Sequence, residues 1–114
     1  MATDSLEDRQ IRLAKNQALF RSVNQEIEHI ADAQAAAGPL SFLCECASPA
    51  CGAHLELPQG EYDAIRQNPT HFFVLPDHVY PEVETIVDDR DRYVIVEKFG
   101  VGGRIAQAIG LQSE

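Results

Sequence analysis

The sequence predicts an α+β fold: a long N-terminal helix followed by a small zinc-stapled antiparallel sheet with one or two short helices. Three observations predict it. Apolar residues recur at heptad spacing over residues 5–36. Beyond Gly38-Pro39 the pattern changes to short apolar runs broken by turn residues. Three cysteines then fall within eight positions, at Cys44, Cys46 and Cys51. The chain of 114 residues suits one domain, read here as a helix over 1–38, a metal-binding body over 39–98 and a loose tail over 99–114.

In the helix, Leu6, Leu13, Phe20 and Ile27 repeat every seven residues, and Asn16, Val23 and Ile30 supply the complementary positions. Ser5, with Asp8 three residues on, approximates a capping box, and Gly38-Pro39 stops the helix. A helix of this extent reaches about 48 Å, longer than a body of this size is wide, so part of the seam should overhang. Leu13, Phe20, Val23, Ile27 and Ile30 are therefore the candidate partner-binding residues, for a second copy or another protein. Asn16 at a seam position would fix register.

The body reads as alternating short elements. Residues 40–44 are apolar enough for a strand, and His54-Leu55-Glu56-Leu57 alternates as its partner would. Pro58 to Asn68 places Tyr62 and Ile65 on one face of a short helix, ended by Asn68-Pro69. Residues 71–75 form a further strand closed by Pro76. Pro81 to Asp88 reads as a short helix with Val83, Ile86 and Val87 turned inward. Tyr93 to Lys98 is the clearest strand. Gly100-Val101-Gly102-Gly103 follows it, but a phosphate loop needs a helix and second strand that the remaining residues cannot supply, so a linker is favoured.

The spacing C-x-C-x4-C over Cys44, Cys46 and Cys51 points to metal rather than disulfides. An odd number of closely spaced thiols cannot all pair, and thiolates bind zinc strongly in tetrahedral sets of Cys and His. The fourth ligand is read as His78, in the loop Leu75-Pro76-Asp77-His78. His54, Asp77 and water are the alternatives. The ion, Zn2+, is read as structural. Glu45, between two ligands, is expected to be a solvated carboxylate rather than a catalytic base. The cytidine-deaminase pattern of H-x-E with P-C-x-x-C is not met. No serine–histidine–aspartate arrangement is legible.

Phe42 to Cys51, Glu61-Tyr62 with Ile65-Arg66, Asn68-Pro69-Thr70, Pro76-Asp77-His78 and Tyr93-Val94-Ile95-Val96-Glu97-Lys98 together resemble a family of small actinobacterial proteins of uncharacterised role. Its pattern is F-x-C-E-C…C, E-Y-x-x-[VI]-R, P-G-H and Y-x-V-V-E-K, and residues 16–24 of the helix are also similar. The likeness spans roughly residues 12–98. It implies that Cys44, Cys46, Cys51 and His78 act as one site, with Asp77 standing where the pattern has Gly, and it implies no activity.

Charge narrows the function. Eighteen acids against nine bases give −9. Of this, −2 falls on residues 1–36 (six acids, four bases) and −7 on residues 37–114 (twelve acids, five bases). Phosphate binding runs on Lys and Arg, so direct nucleic-acid binding is disfavoured. No apolar run approaches the ~20 residues of a membrane span, and MATDSLEDRQ lacks a signal core, so the expected compartment is the cytoplasm. The leading expectation is a non-enzymatic, zinc-stabilised interaction or regulatory module docking through its helix. The rivals are a thiol-based redox sensor or small metalloenzyme using the cysteines, and an acidic nucleic-acid mimic.

Overall fold

The computed structural model describes residues 6–35, 37–100 and 103–104. It is α+β. Helix α1 covers Leu6–Ala33, strand β1 Leu40–Leu43, β2 His54–Leu57, helix α2 Gln59–Arg66, β3 His71–Val74, β4 Glu84–Asp89 and β5 Val94–Lys98. A single 3-10 turn lies at Pro76–His78. β1 and β2 form an antiparallel ladder with Phe42 opposite Leu55 and Leu43 opposite His54. The other three strands form an antiparallel sheet in the order β3-β5-β4. None of the described helices is long and apolar enough to cross a membrane.

The apolar runs 72–74 and 94–96 do not alternate with polar residues because both faces of this sheet are covered. One face carries Phe73, Tyr93 and Ile95, packed with Phe42, Leu57, Tyr62 and Ile65 from β1, β2 and α2. Phe42 and Tyr62 stack at 4.2 Å between ring centroids, and Phe73 meets both Tyr62 and Tyr93 edge-on at 6.0 Å. Rings at these offsets add attraction beyond the area they bury. The opposite face carries Phe72, Val74, Val94 and Val96, and there Cys44 and Cys46 complete the packing. The sheet thus supplies a rigid floor for the cysteine cluster.

One reading of the sequence is corrected. Pro81 to Asp88 does not form a helix: a turn over 81–83 leads into β4, with Val83 buried and Ile86 and Val87 exposed at 49% and 45%. The β-branched residues Val83, Thr85, Ile86 and Val87 favour extended backbone, and the ladder to β5 outweighs their helix-like spacing. A bulge between Ile86 and Asp88 interrupts that ladder. Past β5, Gly103 turns back toward Phe99 and Lys98. The Gly103 N–H donates to the Phe99 carbonyl (3.1 Å), and a Cβ on Gly103 would sit 2.8 Å from the Lys98 carbonyl oxygen, so only glycine fits there. Residues 101, 102 and 105–114 lie outside the described residues, as does the expected cap at Ser5.

Helix α1 ends earlier than Gly38. Ala35 already takes a left-handed φ of 51°, and Gly38 follows at 88°. The apolar periodicity of α1 does not mark the face that meets the body. The buried positions are Leu13, Ala14, Gln17, Arg21, Asn24, Glu28 and Ala31. From Ala14 on they run in steps of three and four, so they share one face, and that face is largely polar. The apolar seam read from the sequence is turned aside. Of its members, Leu13 is buried with Ala47 and Val83, Ile27 packs half-buried on the aromatic core, and Phe20 is half-buried. Val23 and Ile30 remain exposed at 38% and 49%, joined by Leu19 at 59%. These three lie on the far side of the helix from the docked stripe.

Candidate metal centre

β1 delivers the ligand segment. After Leu43 the chain stays close to two neighbours: the Cys44 N–H donates to the Ala53 carbonyl (2.9 Å) and the Glu45 N–H to Phe73 of β3 (3.0 Å). The extended backbone through 44–46 turns Cys44 and Cys46 to the same side, onto the sheet, and Glu45 to the other. Ser48-Pro49-Ala50 then reverses the chain, with the Cys51 N–H donating to the Ser48 carbonyl (3.2 Å) and the Ala50 N–H to Ser48 Oγ (3.3 Å). That turn returns Cys51 to its two neighbours. Pro76 starts the 3-10 turn that ends with His78, whose N–H donates to the Leu75 carbonyl (2.9 Å).

The ligand atoms of Cys44, Cys46, Cys51 and His78 all lie within 4.8 Å of one another. His78 Nδ1 is 3.6 Å from Cys44 Sγ and 3.3 Å from Cys51 Sγ. A tetrahedral ion with metal–sulfur bonds of about 2.3 Å has ligand–ligand edges of about 3.8 Å, so these separations suit a bound metal ion. The Leu75 N–H points at Cys44 Sγ from 3.3 Å, a contact that supports an anionic sulfur. Hydrogen bonding from Cys44, joined by Ser48 N–H, His78 and Cys51, brings the Cys46 thiol down to about 5 against the cost of burial. The same Cys44–Cys46 bond, followed by burial, drives the Cys44 thiol upward, and burial raises Cys51. Negative charge is thus favoured on Cys46, and a bound cation would be what draws the protons from Cys44 and Cys51. His54 is exposed on β2 and Asp77 is exposed in the turn, and neither belongs to the four-donor set.

Cys44 and Cys46 are buried, whereas Cys51 and His78 are half-buried at the edge of a cleft of about 440 Å³ that Asp77, Tyr80 and Glu82 also line. Around a tetrahedral ion these four protein donors would make a complete shell.

Glu45 differs from its reading in the sequence. It is fully buried rather than solvated. Its Oε1 accepts from the Phe73 N–H (3.3 Å) and faces the Arg21 guanidinium (3.5 Å), and its Oε2 accepts from Asn24 Nδ2 (3.0 Å) and the Tyr62 hydroxyl. Burial, and after it the charge on Glu45, pushes the Tyr62 hydroxyl's pKa well above its ordinary value. Arg21 also stacks 3.8 Å over the Phe72 ring and donates to the Pro69 (3.2 Å) and His71 carbonyls. A buried carboxylate is tolerated only with such compensation.

The rest of the polar stripe of α1 reads the backbone of the ligand segment. Asn24 accepts from the Leu43 N–H (2.8 Å) and donates to the Leu43 carbonyl (2.9 Å), as a strand partner would. Gln17 Nε2 donates to the Glu45 carbonyl (3.0 Å) and to Glu84 Oε1 (2.9 Å), and Asn16 to the Ala47 carbonyl (3.0 Å). Glu84 in turn accepts from the Tyr80 N–H (3.0 Å) and lies 3.8 Å from Lys98 Nζ. Burial raises the Glu84 carboxyl and lowers Lys98 to about 8. At the far end, Arg66 of α2 donates to Glu28 (2.7 Å), while burial and the adjacent Asp63 carboxyl raise Glu28 to about 7.

No family model matches the chain, and no curated protein or solved structure resembles it significantly. What can be said of the site therefore rests on its own geometry.

Proposed function

We propose that the chain is a non-enzymatic protein-interaction or regulatory module in which Cys44, Cys46, Cys51 and His78 hold a structural zinc ion and α1 engages a protein partner. The observation that carries this reading is the complete set of four protein donors, gathered within 4.8 Å on the face of a sheet. Three thiolates and one imidazole match zinc better than hard cations, which prefer oxygen. A closed shell speaks for a structural role over a metalloenzyme, and thiols kept free for metal suit a reducing compartment such as the cytoplasm.

The partner side of the proposal rests on Leu19, Val23 and Ile30, exposed on the outer side of α1. Phe20 and Ile27 flank them half-buried, whereas Leu13 is engaged inside the body. An apolar stripe on a helix whose opposite side is already docked has the form of a helix that enters a partner's groove. The double change Val23→Asp and Ile30→Asp should abolish recovery of the partner from cell extract, while zinc content and the far-ultraviolet dichroism spectrum stay as in the wild type. Both positions face solvent, so the fold should lose less than about 1 kcal/mol. Unchanged recovery of the same proteins by the double variant would refute docking through α1.

A further inference from the structure

The contact between α1 and the body is unusual in its chemistry. Helices ordinarily dock through apolar stripes, yet α1 presents Gln17, Arg21, Asn24 and Glu28 inward. Several of their partners lie on residues 43–47, the segment that carries Cys44 and Cys46, while Arg21 also holds the Pro69 and His71 carbonyls, Gln17 reaches Glu84, and Glu28 pairs with Arg66. Asn24 holds both backbone groups of Leu43, Gln17 the Glu45 carbonyl, Asn16 the Ala47 carbonyl, and Arg21 and Asn24 the Glu45 carboxylate. The helix is thus bound in part to the segment that leads into the four-donor site, a segment itself tied to its neighbours through the Cys44 and Glu45 N–H groups. Between Cys46 and Cys51 few backbone hydrogen bonds fix the chain, and a bound ion would supply further constraint.

Polar contacts of this kind are steep in distance and angle, so a shift of the acceptors by an ångström or so removes most of their benefit. An apolar interface would slide and keep much of its own. The β3-β5-β4 sheet, by contrast, keeps its ladders and its aromatic core without help from the metal. On the reading that the four residues hold a metal, we infer that occupancy of the site controls whether α1 stays docked. Metal loss frees the helix while the sheet remains folded. Release then makes the inner face of α1 and the ligand segment accessible, so metal supply regulates what the module presents to its partner.

Amide hydrogen exchange read by mass spectrometry tests this on the intact chain, loaded with one equivalent of zinc and then stripped with a chelator. Stripping should speed exchange in α1 by about tenfold or more, leave β3 and β5 nearly unchanged, and be reversed by adding zinc back. If α1 keeps its protection in the stripped protein, the coupling is wrong although the metal site stands. If α1 and β5 lose protection together, the ion staples the whole fold and selective release is wrong. Failure to bind zinc at all would remove the metal reading itself, and this inference with it.

Reciprocity gives a second arm. Asn24 touches none of the four donors, but linkage requires that weakening its hold on the ligand segment weaken zinc binding by the same factor. Asn24→Ala should lower zinc affinity about tenfold in competition with a chromophoric chelator. Wild-type affinity in a folded Asn24→Ala variant would overturn the coupling.

Discussion

Glu45→Ala should destabilise the protein by about 3–5 kcal/mol, the loss typical when one member of a buried ion pair is removed. The substitution takes the counter-charge from Arg21, whose side chain is 9% exposed, and an acceptor from the Asn24 amide, the Tyr62 hydroxyl and the Phe73 N–H. Arg21 keeps the Pro69 and His71 carbonyls and Asn24 the Leu43 carbonyl, whereas the buried Tyr62 hydroxyl loses the acceptor it had. Glu45→Gln keeps the volume and one acceptor oxygen but aims an NH2 group at neighbours that are themselves donors, so it should cost less than the alanine change and still more than a surface substitution. Urea denaturation of the two variants beside the wild type measures both losses. An alanine variant within 1 kcal/mol of the wild type would mean that the buried carboxylate costs as much to desolvate as its partners return.

Removing the metal should have the other large effect. A ligand that binds only the folded state, present at a thousand times its dissociation constant, stabilises by about 4 kcal/mol. For a chain of this length that corresponds to roughly 10–20 °C in Tm. Excess chelator should therefore lower the calorimetric transition of the wild type by about that amount. Cys46→Ser should show the lowered transition from the start and no response to chelator, because a hydroxyl in place of the most acidic thiol of the cluster leaves the shell incomplete. The chain should still be folded at 25 °C after stripping, since the aromatic core of Phe42, Tyr62, Phe73 and Tyr93 does not touch the ligand atoms. A wild-type transition indifferent to chelator would contradict the structural role of the site.

Much of this architecture was legible in the sequence, for local reasons. Strands β1, β3 and β5 carry dense apolar runs bounded by Pro or Gly, and α2 shows Tyr62 and Ile65 at helical spacing before Asn68-Pro69. The three cysteines announce themselves by density, and His78 by the proline turn that brings it back after β3. Two things were hidden, and both are non-local. The docked face of α1 is polar, so hydrophobic periodicity did not mark it. Its hydrogen-bond partners include backbone groups 19–50 residues away in the chain, which no spacing rule reveals. A repeat was nevertheless present, at Ala14, Gln17, Arg21, Asn24, Glu28 and Ala31. Glu45 was misread because a charged residue between two cysteines in a Ser/Pro/Gly-rich stretch looks solvated. Its burial depends on Arg21, Asn24, Tyr62 and Phe73, contributed by three separate elements. In β4, the spacing of Val83, Ile86 and Val87 imitated a helix that the ladder to β5 overrides.

The central claim is that Cys44, Cys46, Cys51 and His78 hold one zinc ion, and elemental mass spectrometry of the purified protein tests it most directly. The account predicts about one zinc per chain in the wild type, with little or none in Cys46→Ser and His78→Ala. A wild-type protein that is folded and binds no metal, even after incubation with zinc, would contradict it, leaving the three thiols and the imidazole as neighbours in a packed core.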